Sequence, residues 1–188
     1  MARETPRIGL SSFPADRGGS VMVEVALFVP AIMFLLLAGV TMVNAVMLVR
    51  ATDRAVALIA DEFSQRPAIA DADIDDALTA AMGMTGTGGY PLGLRLDIRA
   101  VEITPDATSL LWSRSRASGG SACAPADAAF SAPEGGYSGS GVLYLLQVDL
   151  CATPGVGFYL AGALGAAGFT AHGRAVAIGR TAALRALN

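Results

Sequence analysis

Three side chains in this sequence have the chemistry for nucleophilic catalysis: the thiols of Cys123 and Cys151 and the imidazole of His172. A thiolate attacks and an imidazole takes or returns its proton. The three are scattered, and no motif joins them. Gly136-Tyr137-Ser138-Gly139-Ser140 departs from the nucleophile-elbow pattern, because Ser140 stands where the final glycine is needed. Asp71, Asp73, Asp75 and Asp76 suggest a calcium loop. That loop needs glycine at its sixth position and glutamate at its twelfth, and the sequence supplies Asp76 and Met82. These aspartates fit better as the start of a short helix, capped by Asp71 or Asp73, running to about Met82 and closed by Gly83. The glycine-rich stretch 85–93 lacks the Gly-Lys-Ser/Thr ending of a phosphate cradle and reads as a connector. One histidine and two distant cysteines do not make a zinc site. The expectation is a non-enzyme with no metal, no cofactor and no small-molecule substrate.

The other residue of interest is Glu24, because a long apolar run begins directly after it. No charged residue interrupts Val25 to Val49. As a helix this run measures about 38 Å, against a hydrocarbon core of about 30 Å, so it spans a bilayer with some tilt. A carboxylate at the edge of such a helix is tolerated near the headgroups, where the helix dipole favours negative charge. Arg3, Arg7 and Arg17 precede the run, and Arg50 and Arg54 come after it. Together with a short N-terminal segment and a compact remainder holding both cysteines, this favours a cytoplasmic N-terminus. An ordinary signal peptide is the rival reading, with Val43-Asn44-Ala45 as its small-residue cleavage site and Val46 as the new N-terminus.

Gly19 stands five positions before Glu24, in Arg17-Gly18-Gly19-Ser20-Val21-Met22-Val23-Glu24. A glycine, a glutamate five residues on and a long apolar helix resemble the processing site of type IV pilin-like precursors. The resemblance implies a prepilin peptidase cutting between Gly19 and Ser20 on the cytoplasmic side. Glu24 would then pair with the new Ser20 amine of a neighbouring subunit. Two charges in an apolar bundle are tolerable only when paired, so register would be set by that contact. The run Val23-Glu24-Val25-Ala26-Leu27-Phe28-Val29-Pro30, with leucines beyond it, is similar to the opening of TadE/TadG-like proteins, the minor pilin (pseudopilin) components of tight-adherence (Flp) pilus systems. Val25 stands where that family has an aromatic residue, and Ser20 where common pilins have Phe or Met. Pro30 removes one helical hydrogen bond and is expected to kink the helix. TadG-like members can keep an uncleaved anchor. Pro154, Phe158 and Leu160, then Thr170, Ala175, Val176 and Arg180, match the outline of the family's late strands.

Beyond Arg50 the helix continues with a polar stripe (Arg50, Asp53, Arg54, Ala57, Asp61) and an apolar one (Val56, Ile59, Ala60, Phe63), until Pro67 ends it. The apolar stripe is expected to pack on the chain's own globular part. Leu94 to Ala100 alternates apolar and charged residues, the pattern of a half-exposed strand. Ser109 to Arg116 reads as its antiparallel partner, with Trp112 in the core. Residues 118–141, rich in Gly, Ser, Ala and Pro, read as a long surface loop. Val142 to Cys151 is the strongest strand signal, and Phe169 to Arg180 the last.

The fold class expected is α+β: a long N-terminal transmembrane and amphipathic helix, then a small antiparallel β-sheet domain with a short helix. The organisation is a cytoplasmic leader (1–19), the helix (20–66) and a periplasmic domain (67–188). In an oxidising compartment Cys123 and Cys151 can bridge, closing a loop that contributes about 3–4 kcal/mol on the chain-entropy view; otherwise they are unrelated thiols. The net charge of −3 and the absence of a basic, aromatic-studded patch argue against nucleic acid. The function expected is a minor pilin-like subunit or assembly factor of a tight-adherence pilus, single-pass in the bacterial inner membrane. Its partners would be other pilin-like subunits, the pilus machinery and the prepilin peptidase. The alternative is an uncleaved bitopic protein whose periplasmic domain binds another envelope protein.

Overall fold

The computed structural model describes residues 17–86, 93–104, 107–118, 142–154, 164 and 168–179, with side chains from Met22 onward. The expected cysteine partner Cys123, the elbow-like 136–140 stretch, Phe158, Leu160 and Arg180 lie outside them. The architecture is α+β: α1 (Arg17–Gln65) and α2 (Asp71–Thr85) precede β1 (Gly93–Ile103), β2 (Thr108–Ser118), β3 (Leu143–Thr153) and β4 (Ala171–Ile178). By contacts the chain divides into two compact units at Ala38/Gly39.

In the first unit the described residues are the opening of α1. Its large apolar side chains are all exposed from Met22 through Leu37, and Pro30 sits inside the helix. The Pro30 nitrogen cannot donate to the carbonyl of Ala26, so that turn lacks one bond.

In the second unit a single stripe of α1 is buried. It begins at Thr41 and runs through Ala45, Leu48, Thr52, Ala55, Val56, Ile59, Ala60 and Phe63. Spacings of three and four place these on one face of a helix with 3.6 residues per turn. The stripe expected from sequence is therefore present, and it starts earlier, within the uncharged run. Thr52 is buried without penalty because its Oγ1 donates to the Leu48 carbonyl, 2.8 Å away. Arg66 closes the helix. It is salt-bridged to Glu62 one turn back and to Asp73 of α2, and its guanidinium lies 5.5 Å from the centre of the Phe63 ring.

α2 starts one residue after Ala70, which has no side-chain oxygen to cap with. Asp73 supplies half of a capping box instead: its Oδ2 accepts the Ala70 N–H at 2.8 Å. The helix does not stop at Gly83. It runs on to Thr85, where the Oγ1 donates to the Ala81 carbonyl, and Gly86 ends it by donating to the Met82 carbonyl at 2.9 Å. A glycine inside a helix weakens it by only about 1 kcal/mol, and this turn buries Ala81 and Thr85.

The Ala70 N–H and the Arg66 guanidinium hold the Asp73 carboxyl below its ordinary value of 3.8, the backbone bond being the larger cause. A depressed folded-state value means the stabilisation is complete above 3.8 and is lost as pH falls below it, through the folded value. Asp73→Asn keeps an acceptor for Ala70 and removes the charge. Its unfolding midpoint should therefore vary less with pH than that of the native chain between about pH 5 and pH 2.5, measured by urea titration.

The four strands form one antiparallel sheet in the order β2-β1-β3-β4. β1 and β2 are a hairpin whose turn is tied by Thr104, with Leu111 bulging between the pairs Ala100↔Trp112 and Val101↔Leu110. One sheet face carries Leu96, Ile98, Leu146, Val148, Leu150 and Trp112. It packs in a single core with Leu48, Val56, Ile59 and Phe63 of α1 and Ile74 and Leu78 of α2. β4 meets this core with small residues, Ala171, Gly173, Ala175 and Ala177.

Candidate assembly surface and the second sheet face

A helix that exposes apolar side chains all round has not buried them against its own chain. The segment from Met22 to Val40 does this. Leu27 is 72% exposed and Leu35 69%, and the helix containing them is long and apolar enough to cross a membrane. Met22 to Val40 rises about 28 Å, close to the roughly 30 Å hydrocarbon core. Glu24 lies near its start, exposed, with apolar Met22, Val23, Val25 and Leu27 around it and no ion-pair or hydrogen-bond partner among the described residues. Gly19 and Ser20 occupy the first turn of α1 as backbone. Gly19, Ser20, Glu24 and Pro30 thus lie on one continuous helix.

The second sheet face departs from the sequence reading. The alternation in Leu94 to Ala100 pointed to charged residues facing water. Instead Asp97 is 7% exposed, Arg99 8%, Gln147 2% and Asp149 7%. β1 and β3 are the two central strands, so each polar side chain is flanked on both sides. Rows run straight across the sheet: Arg95, Cys151 and His172; then Asp97, Asp149 and Arg174; then Arg99, Gln147 and Val176. Like charges directly opposite one another destabilise a sheet, so the Asp97–Asp149 pair requires compensation. The Arg95 Nε donates to both Asp97 oxygens at 3.2 and 3.1 Å. Asp149 is bonded to the Arg174 Nε through one oxygen and accepts the Gln147 amide at 2.6 Å through the other. Saturated in this way, the carboxylates act as a register lock. A shift of β3 by one residue would turn Asp149 into the apolar core.

Of the residues singled out for chemistry, the structure brings two together. The Cys151 Sγ lies 3.5 Å from the His172 Nε2. Cys151 is disulfide-bonded, so the pair is not a free thiolate with its base. The aspartates of α2 are spread around that helix. Asp73 caps it, while Asp71 and Asp75 bridge to Arg114 and Arg116 of β2, holding α2 to the sheet edge.

The chain matches no protein-family model, and comparisons with curated proteins and with solved structures gave no match.

Proposed function

We propose that this protein is a minor pilin-like subunit or assembly factor of a tight-adherence (Flp-type) pilus. It would be held in the bacterial inner membrane by α1, with the sheet domain in the periplasm. The observation that carries the reading is the exposed apolar segment from Met22 to Val40, which is bilayer-long and bears Glu24, unpaired among the described residues, close to its start. Lipid, or other helices in lipid, satisfies such a surface. An unpaired carboxylate at its edge calls for a cation, and the amine freed by cleavage at Gly19–Ser20 is one. The TadE/TadG-like run from Val23 to Pro30 supports the same choice. Pilin-like partners would meet the protein laterally through α1, and the periplasmic domain would prime, cap or connect the filament.

Mass-spectrometric mapping of the N-terminus, in cells with and without the prepilin peptidase, tests this. The expected result is a peptidase-dependent start at Ser20, lost in Gly19→Arg, with Glu24→Ala processed normally but absent from sheared pili. An intact N-terminus would favour the uncleaved bitopic protein, and a start at Val46 would remove the membrane subunit altogether.

A further inference from the structure

We infer that α1 makes a further lipid contact within the unit that holds the sheet. Its side from Met42 to Arg54 lies against the bilayer, with Met42, Val43, Val46 and Met47 on acyl chains and Arg50 and Arg54 on headgroup phosphates. This rests on the membrane anchoring of α1 proposed above, and on no part of the pilus assignment.

Over these residues α1 has two unlike sides. Thr41, Ala45, Leu48 and Thr52 are buried. Met42, Val43, Val46 and Met47 point the opposite way at about 100° per residue, and Val43 and Met47 are each 54% exposed. A helix that packs one side into a domain normally turns a polar side outward. Here the outward side stays apolar through Met47 and becomes charged only at Arg50. It changes along the helix axis from apolar to cationic, which matches a bilayer passing from acyl chain to phosphate.

The ion pairs single out the same two arginines. Arg66, Arg95, Arg114, Arg116 and Arg174 are each bridged to a carboxylate. Arg50 and Arg54 are exposed and have no ion pair or hydrogen bond among the described residues. They stand one turn apart on the side of Val43 and Met47. The intervening Asp53 turns toward β4 instead, its Oδ1 3.2 Å from where a Gly173 Cβ would lie. A guanidinium just beyond the last exposed apolar side chain reaches the phosphate layer on its own flexible stem. It offers phosphate a planar fork of donors.

The dimensions agree. Val25 to Met47 rises about 33 Å, which a hydrocarbon core of roughly 30 Å covers at a tilt of about 25°. A tilted helix leaves the core obliquely, so one side stays in lipid after the other has left it. The same turns of α1 can then serve lipid on one side and the domain core on the other.

The test places a nitroxide on the full chain, reconstituted in vesicles of phosphatidylethanolamine and phosphatidylglycerol. Leu35→Cys, Val43→Cys, Met47→Cys and Leu58→Cys supply the sites one at a time, all at exposed positions, and the unsubstituted chain treated alike is the blank. Molecular oxygen is the apolar relaxant and a nickel chelate the aqueous one. Oxygen should dominate at positions 35, 43 and 47, and the chelate at 58. Dominance of the chelate at 43 and 47 but not at 35 would overturn the inference and leave the anchor standing, whereas its dominance at 35 as well removes both. Exclusion of both relaxants at 43 and 47 would mean that a second copy or another helix covers them, which also overturns it. The arginines have a separate readout in native mass spectrometry of the detergent-solubilised chain. Arg50→Gln combined with Arg54→Gln should weaken phosphatidylglycerol binding about tenfold, and the charge-matched pair Arg114→Gln with Arg116→Gln should not. Equal binding by the two double variants would sink the phosphate contact and the proposal with it.

Discussion

Replacing Phe63 by alanine should lower the stability of the sheet domain by about 3–5 kcal/mol. Phe63 is 1% exposed and is among the largest fully buried side chains, in the core that α1 shares with α2 and the sheet. Truncation removes the transfer free energy of the ring and leaves a cavity that helix backbone on one side and sheet on the other cannot close. It also takes away the ring beneath Arg66, whose ion pairs tie the end of α1 to the start of α2. Domains of this size have about 5–15 kcal/mol in total, so the loss removes about a fifth or more of it. Met42→Ala is the matched comparison: the side chain is 72% exposed, and its loss should change stability by less than about 0.5 kcal/mol. Urea unfolding in detergent, monitored by fluorescence of the single tryptophan, Trp112, reads both. A small effect for Phe63→Ala would mean that α1 is not integral to the domain core.

Gly173→Val should destabilise the same domain by about 1–3 kcal/mol, against the usual preference of strands for valine. A Cβ at Gly173 would lie 3.1 Å from the Thr52 carbonyl oxygen, 3.2 Å from its carbon and 3.2 Å from the Asp53 Oδ1. The Asp53 side chain is exposed and can swing aside. The Thr52 carbonyl belongs to helix backbone and moves only if α1 lifts from β4. Strand propensity favours valine by at most about 1 kcal/mol, so the steric term decides the sign. Gly83, inside α2, has nothing near its missing Cβ. Gly83→Ala should therefore stabilise by about 0.5–1 kcal/mol. Opposite signs at the two glycines, in one thermal-unfolding series, would establish the close approach of α1 to β4. Destabilisation at neither would refute it.

Patterns carried by consecutive residues were legible without coordinates. The uncharged run from Val25, the stripe Val56, Ile59, Ala60 and Phe63, and the stop before Pro67 are written in local spacing; so are the last two strands, expected over Val142–Cys151 and Phe169–Arg180 and found over Leu143–Thr153 and Ala171–Ile178. Hydrophobic period and chain-breaking residues act over a few positions, and they were enough to define the α+β class. Gly19, Ser20, Glu24 and Pro30 fall in sequence order along that helix, because the run that holds them is continuous.

What the spacing misread was Asp97 and Arg99. A period of two says that a strand has two different faces, and not whether the polar face meets water. That depends on β1 and β3 being the inner pair of β2-β1-β3-β4, a matter of chain topology. The same pairing aligned Asp97 with Asp149, and Arg95 and His172 with Cys151, from segments dozens of residues apart. The end of α2 at Gly86 rather than Gly83 was decided by core packing of Ala81 and Thr85. Local composition determined the helix, its membrane-length surface and the strands. Tertiary structure decided which polar groups were buried, because burial and cross-strand partnership are set by neighbours far away in sequence.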